Sequence, residues 1–180
     1  LPQDPGCINR ISIPVSAHAI SPANIITVQG LFSSNGIDDR NFQYFRYTHD
    51  TLQTQFPPYA AYDEKQVRVN QYANGLPIFN KDMSYLFLDD RLNFISGYRS
   101  NGTNLGTEPF LSLPQLRGIY LREVSAHGGG SFKDSCVVAR FGYYDLHAGT
   151  SDTTEKLIKA WHLTPLNSSY PEAYIRDDNG

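Results

Sequence analysis

A regular alternation of apolar and polar positions runs through residues 67–97, VRVNQYANGLPIFNKDMSYLFLDDRLNFISG. Val67, Val69, Gln71 and Ala73 alternate with Arg68, Asn70 and Tyr72, the period-two signature of a strand with two unlike faces. Asn74-Gly75 follows, a pair that accepts the positive backbone angles of a two-residue hairpin. Met83, Tyr85 and Phe87 then alternate with Ser84, Leu86 and Leu88. Asp89-Asp90 makes the next turn before Leu92, Phe94 and Ile95. The pattern predicts a three-stranded antiparallel meander.

The pattern elsewhere is of two kinds. Residues 8–15 alternate like a strand, with Pro14 suited to a sheet edge. At Ser21-Pro22 a capping residue precedes a proline, and Ile25, Val28, Leu31 and Phe32 then share one helical face. Asn35-Gly36 is a stop signal, so a helix is expected over 21–35 despite its β-branched Ile25-Ile26-Thr27-Val28 run. A strand over 42–52, carrying Phe42, Tyr44, Phe45 and Tyr47, and a Pro57-Pro58 loop lead into the meander. Residues 100–109 lack apolar periodicity and read as a connection. Ser112 then caps a second helix, about 112–127, with Leu113, Leu116, Tyr120 and Val124 on one face and Gly128-Gly129-Gly130 at its end. Strands are expected at about 135–146, 156–164 and 172–177. The Asp177-Asp178-Asn179-Gly180 turn predicts one more strand beyond.

Each half is thus a helix followed by antiparallel strands. An amphipathic helix must bury its apolar stripe, and a curved antiparallel sheet offers the matching face. The expected class is α+β, with two cystatin-like lobes. The first spans residues 1–100 and includes the extra N-terminal strand; the second spans 101–180.

The run Gln71-x-x-Asn74-Gly75-Leu76-Pro77-Ile78-Phe79, its alternating strand, acidic turn and Leu92-Asn93-Phe94-Ile95-Ser96-Gly97 together resemble the fungalysin/thermolysin propeptide motif. The segment from Lys156 through Trp161-His162-Leu163 to Ala173-Tyr174-Ile175-Arg176 resembles the related PepSY module. The two matches cover about half the chain. They imply a doubled cystatin-like layout and a sheet surface that packs on a protease, as an inhibitor or folding aid. The tail is also similar to exported lipoproteins of Bacteroidetes-type bacteria, which implies a periplasmic or outer-membrane location with a lipid anchor upstream. The chain departs from the propeptides in its extra strand.

Composition agrees with a β-rich, core-forming chain: of 180 residues 40% are hydrophobic, with twelve Tyr and ten Phe against one Met and one Trp. A net charge of −3 and no long basic run argue against nucleic acid or an anionic membrane surface as the main partner. No apolar run approaches the ~20 residues of a membrane-spanning helix. The start at Leu1 without Met is consistent with removal of an upstream leader. Cys7 and Cys136 are the only cysteines. They either pair across a long loop or serve as separate buried thiols.

Chemistry-bearing residues form no recognisable constellation. The five histidines, His18, His49, His127, His147 and His162, include no close zinc-binding pair such as H-E-x-x-H. His49-Asp50 is half of an acid–base pair at most, and the bland reading is a polar strand end. Asp89-Asp90 and Asp177-Asp178-Asn179 lack the ligand spacing of a calcium loop and read as turns. The triple glycine closes a helix, whereas phosphate sits at a helix start. Asn101-Gly-Thr and Asn167-Ser-Ser are glycosylation sequons only in a eukaryotic secretory setting. No catalytic residue, cofactor or metal ligand is therefore assigned.

Binding has better material. Arg68, Tyr72, Tyr98, Arg99, Tyr143 and Tyr144 are candidates for a partner-facing sheet surface, with ordinary cross-strand packing as the alternative. The expectation is a non-catalytic exported binding module that meets a protein, possibly a protease. A small-ligand or glycan-binding lipoprotein with a stacked-ring cleft is the alternative, and an enzyme with a His49-Asp50 pocket ranks third.

Overall fold

The computed structural model describes residues 7–128, 136–152, 154–166 and 170–178. Its class is α+β, with two helices and eight strands among the described residues. The chain divides into two units, Pro14–Gly102 and the residues that flank it, up to Ile13 and from Thr103 onward.

In the Pro14–Gly102 unit, helix α1 (Pro22–Ser34) starts where the capping signals place it. The Ser21 hydroxyl accepts the Asn24 N–H at 3.2 Å, and Pro22 occupies the first turn, where its missing donor costs nothing. At the other end Asn35 does more than stop the helix. Its Nδ2 donates to the Leu31 and Asp90 carbonyls at 2.8 and 2.9 Å, and its Oδ1 accepts the Leu92 N–H at 2.8 Å. One side chain thereby ties the helix end to a hairpin more than fifty residues away.

That hairpin belongs to a four-stranded antiparallel sheet. Strands β2 (Phe42–Gln53), β3 (Ala61–Ala73), β4 (Leu76–Leu88) and β5 (Arg91–Ser96) pair in sequence order. Both expected turns form: Asn74 and Gly75 have φ of 50° and 76°, Asp89 and Asp90 of 47° and 64°. These paired positive angles match the strand twist, and Asn, Asp and Gly tolerate them. Val28, Leu31 and Phe32 of α1 are buried against Phe42, Tyr44, Val67, Val69, Met83, Tyr85 and Phe87. Phe32 is the hub, edge-on to Phe42 and Tyr44 at 6.3 and 5.7 Å between centroids.

In the flanking unit, helix α2 (Leu113–Gly128) buries Leu116, Tyr120 and Val124, with Leu113 half-buried. The Gln115 side chain reaches back to accept the Ser112 N–H at 3.0 Å, the returning half of a capping box. Strands β6 (Val137–Asp145), β7 (Leu157–Pro165) and β8 (Ala173–Arg176) form an antiparallel set. The N-terminal strand is here, which corrects its assignment to the first lobe. Strand β1 (Ile8–Arg10) has three residues and runs parallel to β6, with Ile8 opposite Val137. Hydrophobic alternation detects a strand but carries no address for its partner. A disulfide joins Cys7 to Cys136 at the mouth of this pair, so the two thiols are not independent.

Asp177 sits in the turn expected after β8, and its side chain has a role that the turn pattern does not convey. Its side chain is completely buried. Oδ1 accepts the Leu111 N–H at 3.1 Å and the Trp161 Nε1–H at 2.8 Å, while Oδ2 accepts the Phe110 N–H at 2.7 Å and lies 3.3 Å from Lys159 Nζ. The carboxylate is a knot that binds β7, the turn after β8 and the approach to α2. The glycine run from Gly129 on and the Asn167 sequon lie outside the described residues.

Candidate functional site

The face of the β2–β5 sheet turned away from α1 carries a transverse row of polar residues. Register places Arg46 opposite Arg68, Arg68 opposite Ser84, and Ser84 opposite Ser96, one residue from each strand. Gln66, Leu86 and Phe94 form the neighbouring row, and with Asp82 and Gly97 these residues line a concavity of about 430 Å³. A register shift between Tyr44 and Arg46 marks a bulge in β2 beside the site, which bends the strand and re-aims its side chains. Gly97 closes the far end at φ 95°; a Cβ there would stand 2.6 Å from the Asp82 carbonyl oxygen, so only glycine fits.

The row is electrostatically unbalanced. Arg68 Nη2 donates to Asp82 Oδ2 at 2.6 Å, and its guanidinium lies over the Phe45 ring at 5.1 Å. Two contacts therefore fix its orientation. Arg46 has no such partner: among the described residues no carboxylate stands within ion-pair distance of it. Like charges directly across a strand pair are unfavourable, so this juxtaposition costs stability unless an anion intervenes. Ser84 Oγ accepts from Gln66 Nε2 at 3.1 Å, which leaves its proton to donate.

Of the six residues expected to face a partner, Arg68 alone lines this concavity. Tyr72 and Tyr143 are corrections, because both are buried. Tyr143 continues the buried series Val137, Ala139 and Phe141 on one side of β6, so its neighbour Tyr144 must point the other way. Tyr72 follows a register shift between Asn70 and Tyr72 that breaks strict alternation. Tyr144 is half-buried and packs on Tyr174 at 5.1 Å. Tyr98 is 80% exposed, and its carbonyl accepts from the buried Gln71 at 2.8 Å. The Arg99 guanidinium lies over Phe42 at 4.9 Å and 3.5 Å from Asp38. Arg46, Gln66, Ser84, Phe94 and Ser96 were missed. The polar half of the alternation marks their face, but only register brings them into contact.

The histidines serve elsewhere. His49 meets Asp63 at 3.5 Å, not Asp50, and both partners are exposed, so no His49-Asp50 pocket forms. His162 is buried, stacks on Tyr174 at 4.6 Å and touches both Glu172 and Arg140. Its Nδ1 lies 3.2 Å from Arg140 Nη2 and its Nε2 2.9 Å from Glu172 Oε2, so both ring nitrogens are engaged. Among the described residues no group of three His, Cys, Asp or Glu side chains is arranged to hold a metal ion, and no helix is long and apolar enough to cross a membrane.

His18 lines a smaller cavity of about 180 Å³ with Asp39 and Tyr44. Its ring stacks on Tyr44 at 4.2 Å, and its Nδ1 accepts the Tyr44 backbone N–H at 3.0 Å. The Tyr44 hydroxyl donates to Asp39. Burial, and then that bond to Asp39, push the Tyr44 phenol well above its ordinary pKa. Burial also holds the His18 imidazole below its ordinary value, against a smaller opposing pull from Asp39. The unfolded chain therefore binds the His18 proton more readily, and its contribution is full above about pH 6.5 and lost as pH falls through the folded pKa. Urea unfolding should show wild type about 1 kcal/mol more stable than His18→Ala at pH 7.5. The gap should narrow at pH 5; a constant gap would refute the role.

In comparisons with protein-family models, curated proteins and solved structures, none matched the chain.

Proposed function

We propose that this chain is a non-catalytic exported binding module of propeptide-like type, built from two cystatin-like lobes, that presents the outer face of the β2–β5 sheet to a protein partner, possibly a protease. The observation that carries the reading is the Arg46–Arg68–Ser84–Ser96 row: a concave, preorganised surface with one cation left unneutralised. Arginine beside aromatic rings is the composition that concentrates binding energy at protein interfaces. The Cys7–Cys136 bridge supports export, since disulfides persist in oxidising compartments. The propeptide-like motif supports a partner-facing sheet, and the lipoprotein-like tail supports an envelope location. One ring, Phe94, lines the concavity, whereas a sugar-stacking cleft calls for two or more.

Filling the concavity tests the reading. Ser84→Trp should abolish retention of a partner from native envelope extract by at least tenfold, while His49→Ala at the exposed ion pair should leave it intact. The contact should also map by hydrogen exchange to β2–β5. Equal retention by Ser84→Trp would overturn the proposal.

A further inference from the structure

We infer that the β2–β5 concavity receives a carboxylate carried on an apolar segment of the partner, with Arg46 as its principal ligand. This rests on the reading of that face as the partner-facing one, and names the chemistry it selects. Arg46 stands opposite a second guanidinium with no carboxylate in reach among the described residues, while Arg68 is already bonded to Asp82. An incoming anion replaces a like-charge contact with a charge-assisted one, and the planar fork of Arg46 matches a carboxylate edge. Ser96 and the free proton of Ser84 add neutral donors on the same row.

The walls choose among anions. The surplus at the site is one positive charge, two guanidinium groups against the single carboxylate of Asp82. A monoanion satisfies it; a phosphate dianion would press its second charge against Asp82. Leu86 and Phe94 stand in the next row and give apolar contact to whatever bears the carboxylate. About 430 Å³ exceeds one carboxylate and accommodates neighbouring side chains. A peptide with an acidic residue or terminal carboxylate beside a large apolar residue fits each of these features.

The test is titration of the isotope-labelled full chain with capped peptides, followed through backbone amides and arginine Nε–H signals. Ac-ELELEL-NH2 should shift Arg46, Arg68, Ser84 and Ser96 and bind at least tenfold more tightly than neutral Ac-QLQLQL-NH2. The same neutral peptide with a free C-terminal carboxylate separates terminal from side-chain recognition; binding in either arm supports the site. Arg46→Gln should weaken the acidic peptide tenfold or more, and Arg46→Lys should recover part of that loss. Binding of the fully neutral peptide equal to that of both carboxylate-bearing peptides at these residues would sink the carboxylate site and leave the partner-facing sheet standing. Tighter binding of inorganic phosphate, unchanged affinity in Arg46→Gln, or no shift with any peptide also overturns it. The Ser84→Trp retention experiment judges the sheet face independently of all these outcomes.

Discussion

Replacing Asp177 with Ala should destabilise the chain by about 3–5 kcal/mol, the cost of removing one member of a buried, charge-bearing network. Two backbone amides, the Trp161 indole N–H and the Lys159 ammonium all converge on this one carboxylate. Truncation strands the amides and the indole in a dry site, and each unsatisfied donor carries its own desolvation penalty. Asn offers little rescue. Each carboxylate oxygen receives two donors, so whichever position the Asn nitrogen takes, it meets donors where an acceptor is needed. Asp178, one residue on, is exposed and pairs with Arg176 on the surface, so Asp178→Ala should change stability by no more than about 0.5 kcal/mol. Denaturant unfolding followed by Trp161 fluorescence measures both variants, Trp161 being the only tryptophan. A loss below about 1 kcal/mol in Asp177→Ala, with an unchanged native spectrum, would contradict the account.

Asp177 also shows where reading a sequence stops. Local rules place what depends on neighbours in the chain: Ser21-Pro22 opens α1, Asn74-Gly75 and Asp89-Asp90 turn the meander, and the Val67-to-Phe87 alternation separates the buried face from the wet one. Asp177 does sit in a turn, but its chemistry comes from Phe110, Leu111 and Lys159, which no local pattern connects to it. Arg46 is comparable. Within the chain it is one polar residue between Phe45 and Tyr47; its meaning appears only when pairing sets it against Arg68. The bulge at Tyr44 and Arg46 has no signature of its own. Tyr143 and Tyr144 cannot share a face, and period-two geometry could have excluded one of them from the same patch beforehand.

Removing the Cys7–Cys136 bridge should have a comparable effect, spread differently. The sequence separation is 129, and in the chain-entropy model a loop of that order is worth up to about 5 kcal/mol. The native side of the argument is local. Strand β1 has three residues and is joined to β6 by few bonds, among them Val137 N–H to the Cys7 carbonyl at 3.0 Å and Ile11 N–H to the Ala139 carbonyl at 2.9 Å. So short a strand gains little from its own pairing, and Ile8 is its one buried apolar side chain among the described residues. In a Cys7→Ser/Cys136→Ser variant, the Ile11 amide should lose its hydrogen-exchange protection well before the amides of β3 and β4. Those strands lie in the other unit and are held by α1 and their own ladders. The unfolding midpoint should fall with it, and the reduced wild-type protein should behave like the variant. Two free thiols in the denatured, unreduced protein would remove the basis of the prediction. Protection of Ile11 that outlasts the bridge would mean that β1 is held by pairing and burial alone, and that the disulfide stabilises chiefly by restricting the unfolded chain.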